Sequence, residues 1–211
     1  MTTTQQNTNL LLLQNLKDCF EKNKHCFSRS ARQTFIHEYG HMKTALTAGF
    51  QFTALMVRDP IFAAKMKTKY HLFFYKNHTI CYGSCTKWTF CPLSKGCSYF
   101  YDPTLCKENT PLTAEDIIHW KQIVLGGLYE ELLYGNEHFC KIAGGFGAKL
   151  RKRPGKKSKS DYSLLEKIKE NPDYCKEINR DFFEIHQYLY DQLSTNPSSR
   201  KILHTLKTLI N

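Results

Sequence analysis

Phe35-Ile36-His37-Glu38-Tyr39-Gly40-His41-Met42 lies between a pair of serines, Ser28 and Ser30, and a glycine, Gly49. Either serine can cap a helix and the glycine can end it, while Ala31, Phe35, Ile36, Tyr39, Met42, Ala45 and Leu46 give it an apolar face. On such a helix His37 and His41 are one turn apart and point the same way. That spacing suits two ligands of one Zn²⁺, with Glu38 between them as general base. Zinc takes neutral imidazoles and keeps a fourth position open for water, whose pKa it lowers from ~15.7 to ~7. Glu38 would accept the proton as that water attacks a peptide carbonyl. The stretch therefore predicts a metal-binding helix, zinc as cofactor and a polypeptide as substrate.

The chain has 211 residues, 41% of them hydrophobic, which suits a single domain over 1–211 with one core. No apolar run reaches the roughly 18 residues that span a bilayer, and Leu10 to Leu13 is too brief for a secretory signal. The expectation is a cytoplasmic protein with no transmembrane segment. Net charge is +11, and seven positive charges fall between Lys149 and Lys159. Like charges mixed with Pro154 and Gly155 predict a basic loop over 144–160. Such a loop is either simply solvated or a docking site for an anionic partner; it lacks the interleaved aromatics that stack on bases.

Nine cysteines are present, five of them at Cys81, Cys85, Cys91, Cys97 and Cys106. An odd total argues against a fully paired disulfide framework, and the spacings lack the C-x2-C units of zinc ribbons. A second, structural zinc at this cluster, disulfides and free thiols all stay open.

Along the chain, Asn9 to Phe20 reads as a short amphipathic helix bearing Leu12, Leu13, Leu16, Cys19 and Phe20. After the histidine helix the texture turns β-branched and aromatic, with strands expected at 52–57, 70–75 and 86–90. This is a small antiparallel, cysteine-rich β region over 50–110. Thr113, with Asp116 three residues on, opens a long helix toward Gly135. On it Ile117, Val124, Leu128 and Glu131 share a stripe, so a carboxylate lies on an apolar face and needs a partner. Gly126 and Gly127 cost that helix about 1 kcal/mol each relative to Ala. Close approach of another backbone, that of the histidine helix, would account for them. Ser160 caps a helix through Ile168, Pro172 starts another carrying Ile178, Phe182, Phe183, Ile185, Leu189 and Leu193, and Asn196-Pro197 opens a last one. The expected class is α+β: mainly helical, with a small antiparallel β region inserted after the histidine helix.

Three islands, Phe35 to His41, Leu125-Gly126-Gly127-Leu128-Tyr129-Glu130-Glu131-Leu132-Leu133-Tyr134-Gly135 and Ser160-Asp161, occur in that order. In this the chain resembles the peptidase domain of the FtsH-type ATP-dependent zinc metalloproteases. The resemblance implies a zincin-like metalloendopeptidase fold with Asp161 as third zinc ligand beside His37 and His41. It also implies that Glu130 and Glu131 orient a ligand imidazole. On the residues alone, Asp161 could instead serve the first turn of its helix, and Glu131 could itself bind zinc. Tyr39 stands where the family usually has alanine, and Gly127 where it usually has arginine. Between Gly135 and Asp161 lie 25 residues, more than the family's usual spacing. With no AAA ATPase module read here, the resemblance implies a stand-alone peptidase for flexible or unfolded segments, or one served by a separate ATPase. The competing expectation is a non-catalytic interaction protein that keeps fold and metal and binds an anionic partner through the basic loop.

Overall fold

The computed structural model describes residues 3–57, 71–76, 79–81, 96–107, 109–133 and 159–195. The strand expected at 86–90, the terminal helix after Asn196 and nearly all of the 144–160 loop, with the anionic-partner reading that rests on it, lie outside these residues.

The first helix, α1 (Thr3–Asn23), is longer than its apolar pattern suggests and buries Leu12, Leu13, Leu16 and Phe20. It is tied to the next helix, α2 (Arg29–Thr47), at both ends of their contact. Asn9 Nδ2 donates to the Leu46 carbonyl at 2.9 Å, satisfying one of the orphan acceptors at the end of α2. Tyr39 donates its hydroxyl to the Leu13 carbonyl at 3.2 Å, and Phe20 stacks on Phe35 with ring centroids 4.1 Å apart. Tyr39 thus faces α1, on the side of α2 away from the histidines.

Of the two candidate serines, Ser28 is the cap: its Oγ accepts from Ala31 N at 3.2 Å. At the other end Gly49 takes φ 94°. There Phe50 N bonds to Ala45 O and Gly49 N to Leu46 O, a Schellman closure that turns the chain into the sheet.

The four strands β1 (Gln51–Val57), β2 (His71–Lys76), β3 (Thr79–Cys81) and β4 (Gly96–Tyr101) form an antiparallel sheet in the order β3-β2-β1-β4. In β1 every residue after Gln51 is buried, as befits a strand covered on both faces. A register shift between Phe52 and Ala54 lets Phe52, Leu55 and Val57 join the α1–α2 core, while Thr53 reaches His186 on the opposite side.

Helix α3 (Ala114–Leu133) opens with the expected box: Asp116 N donates to Thr113 Oγ1 at 3.1 Å, and Thr113 N donates to Asp116 Oδ2 at 2.8 Å. Helix α4 (Lys159–Glu170) carries Asp161 in its first turn, and the expected cap by the Ser160 side chain lies outside what is described. Helix α5 (Tyr174–Thr195) follows Pro172. A second core joins α2, β4, α3, α4 and α5 around Trp120, 1% exposed, with Phe50, Phe100, Ile123, Ile168 and Ile178. The segment 50–110 thus contributes β1 and β4 directly to the core. The described residues are mainly helical with one antiparallel sheet, and no described helix is long and apolar enough to cross a membrane.

Candidate metal centre

Helices α2 and α3 meet through glycines. A Cβ on Gly40 would run into the Gly126 carbonyl, and one on Gly126 would lie 2.6 Å from Gly40 O and collide with Thr44 Oγ1. Backbones this close are possible only without side chains at the crossing. One position further, a Cβ on Gly127 would lie 2.6 Å from His41 Nε2 and 2.8 Å from His37 Cε1. Gly127 therefore leaves the volume that the two imidazoles fill, which an arginine there would occupy.

That opening also exposes a carbonyl. His41 Nδ1 lies 2.8 Å from Ile123 O, the acceptor that helix geometry assigns to Gly127 N–H. Gly127 N is 3.3 Å from the same imidazole nitrogen. The shorter contact assigns the Nδ1 proton to the bond with Ile123, which leaves the Nε2 lone pair facing the site. For His37, Nδ1 faces Glu131 Oε2 at 3.4 Å and Nε2 faces Asp161 Oδ2 at 3.0 Å.

His37 Nε2, His41 Nε2 and Asp161 Oδ2 form a triangle with edges of 3.0, 3.0 and 3.8 Å. Ligands about 2.05 Å from a tetrahedral zinc lie about 3.3 Å apart. The triangle brackets that value, and two imidazoles with one carboxylate are a donor set that zinc accepts. Among the described residues this is the one group of three or more His, Cys, Asp and Glu able to hold a metal ion. Asp161 keeps both roles open to it in the sequence: it lies in the first turn of α4 and it closes the triangle. Glu131 stands behind His37, against the nitrogen that points out of the site.

The paired glutamates separate. Glu130, 2% exposed, turns to Lys43 on α2, whose Nζ lies 2.9 and 3.3 Å from its two carboxylate oxygens. Of the pair, Glu131 meets the His37 imidazole while Glu130 pairs with Lys43, contrary to the expectation that both face an imidazole, because neighbouring positions on a helix point about 100° apart.

Acidic groups surround His37. Burial lowers the His37 pKa, but hydrogen bonds to Asp161 and Glu131 and the charges of Glu38 and Asp161 outweigh it and raise it to about 10. Burial raises Glu38 above the usual carboxylate range, against the opposing pull of His41, His37 and the Ser98 hydroxyl. Glu38 is 8% exposed, and Ser98 Oγ on β4 donates to its Oε2 at 3.0 Å.

Cys85, Cys91 and the side chain of Cys81 lie outside the described residues, and with them the expected cysteine cluster. Cys106 Sγ donates to Asp102 O at 3.3 Å and accepts from Asn179 Nδ2 at 3.4 Å. It thereby links the turn after β4 to Asn179 on α5.

Sequence reasoning missed Ser98, Lys43 and the Ile123 carbonyl. The glycine pair was the signal for the last. Ser98 carried none, since its role depends on strand register. Comparison with family models, with curated proteins and with solved structures returns no match.

Proposed function

We propose that the chain is a zinc-dependent endopeptidase with a zincin-like peptidase fold, as the resemblance to the FtsH-type peptidase domain implies. The observation that carries this reading is the triangle of His37 Nε2, His41 Nε2 and Asp161 Oδ2, with the Glu38 carboxylate on the same helix turn. His37 Nε2, His41 Nε2 and Asp161 Oδ2 would hold Zn²⁺, which would supply the Lewis acidity that makes water nucleophilic near neutral pH and polarises a peptide carbonyl. The chain's own residues do the rest. Ile123 O and Glu131 hold the imidazoles in the tautomer that offers Nε2. Glu38 takes the proton from the attacking water and returns it to the departing amine, so that the peptide becomes a carboxylate and an amine.

The test is Glu38→Gln in the full chain, with fluorescein-labelled β-casein as an unfolded substrate. The variant is expected to bind one zinc per chain, as the parent does, and to lose hydrolysis by roughly 10²- to 10⁴-fold. Chelation of the parent's zinc should abolish cleavage and zinc should restore it. Retained cleavage in Glu38→Gln, or a parent that binds no zinc, overturns the proposal.

A further inference from the structure

A glutamate side chain has three rotatable bonds, so a base on α2 needs something to aim it. Strand β4 reaches it. Ser98 Oγ donates to Glu38 Oε2 at 3.0 Å, and both residues are buried. The approach is built into the backbone two residues earlier on the same face of β4: a Cβ at Gly96 would lie 2.5 Å from Thr34 Cγ2 and 2.8 Å from Glu38 Cγ. In the ladder Ser98 is opposite Leu55 and Gly96 opposite Val57, two residues buried in the α1–α2 core. The donor is thus carried by a strand whose register the core fixes, and a slip of one residue would turn Ser98 to the other face.

The geometry points to Ser98 as a positioning residue: it holds Glu38 Oε2, leaving Oε1 to receive the proton of the nucleophilic water. This deepens the peptidase reading and rests on it. In the step, one water O–H bond breaks and its proton goes to Oε1, while Ser98 keeps its own proton throughout. Ser98 is not among the three residues of the triangle, so its loss should be felt in the reaction and not in binding.

The experiment compares the parent, Ser98→Ala, Ser98→Thr and Glu38→Gln as full chains on fluorescein-labelled β-casein. Ser98→Ala is expected to bind one zinc, to keep the parent's visible spectrum when loaded with Co²⁺, and to keep its KM. Its kcat should fall roughly 10- to 100-fold. Ser98→Thr, which retains the hydroxyl, should recover most of the loss. Unchanged kcat in Ser98→Ala, or a loss confined to KM or zinc content, overturns the inference while leaving the peptidase reading intact. Failure of the zinc-loaded parent to cleave, or cleavage by Glu38→Gln, overturns the peptidase reading and the role of Ser98 with it. A urea-unfolding cycle on the metal-free chain reads the contact independently of activity. Ser98→Ala should lower the midpoint in the parent and barely shift it in Glu38→Ala, and equal shifts in the two backgrounds would also overturn the inference.

Discussion

His37 Nε2 and His41 Nε2 stand 3.0 Å apart, a separation at which two lone pairs repel unless a proton or a metal ion lies between them. The carboxylates around His37 supply the first solution by raising its pKa; a bound cation is the second, and the two compete for the same nitrogen. Residues that look alike in sequence then part company. On the proposed reading Asp161→Ala would remove a zinc ligand, whereas Glu131→Gln would remove only the acceptor behind His37. In competition with a chromophoric chelator, Glu131→Gln should cost about 10- to 100-fold in zinc affinity, and Asp161→Ala more. The opposite order would make Glu131 the ligand. Lys43→Ala should leave zinc affinity alone but strand the Glu130 carboxylate in the α2–α3 interface. Unfolding by urea should register that as a loss of about 1–3 kcal/mol.

At the scale of elements the α2–α3 crossing sets two physical effects against each other. Alanine is a better helix former than glycine by about 1 kcal/mol, so propensity alone predicts that Gly126→Ala stabilises α3. The new Cβ would lie 2.6 Å from Gly40 O, a backbone atom that cannot rotate away, so the helices must separate. Contact should win, because moving the crossing also disturbs both cores. A lower urea midpoint for Gly126→Ala is therefore expected, and a higher one would mean that the crossing is loose. This element was legible in advance because two adjacent glycines inside an apolar helix have a cost that only a close neighbour offsets. The histidine helix, with its Ser28 cap and Gly49 stop, and the Thr113–Asp116 box were legible for the same reason: each is a local pattern with a local cause. Strand β4 was not, since Gly96, Cys97 and Ser98 give no alternation, and the strand exists because β1 offers a buried edge. The separation of Glu130 from Glu131 depends on where Lys43 and His37 fall across the interface. The choice of Asp161 depends on how α4 returns to α2, which no spacing in the sequence states.

For the whole molecule, the triangle of His37, His41 and Asp161 joins α2 to α4, two helices far apart in sequence that are held together mainly through α3 and the Trp120 core. Any ion bound there favours the folded chain over the unfolded one by mass action. The sign of its pH dependence follows from His37. Its folded pKa, about 10, is above the 6.5 of an unfolded histidine, so the folded metal-free chain holds the extra proton. That contribution is fully present below about pH 6.5 and is lost as pH rises through about 10. Glu38, also raised, acts in the same direction from its own lower unfolded value upward. The metal-free chain should accordingly lose thermal stability between pH 6.5 and 8.5, a window kept below the range in which the buried Cys175 thiol, pushed up to about 11, adds its own term. On the proposed reading zinc would displace the His37 proton, so its stabilising increment should grow over the same interval, approaching a tenfold gain in affinity per pH unit for one displaced proton. Calorimetric melting of the metal-free and zinc-loaded chains at pH 6.5, 7.5 and 8.5 measures both trends, with His37→Gln as the control that should flatten them. A zinc increment that stays constant across this window would mean that no proton leaves His37 on binding, and that the ion is held somewhere other than between the two imidazoles.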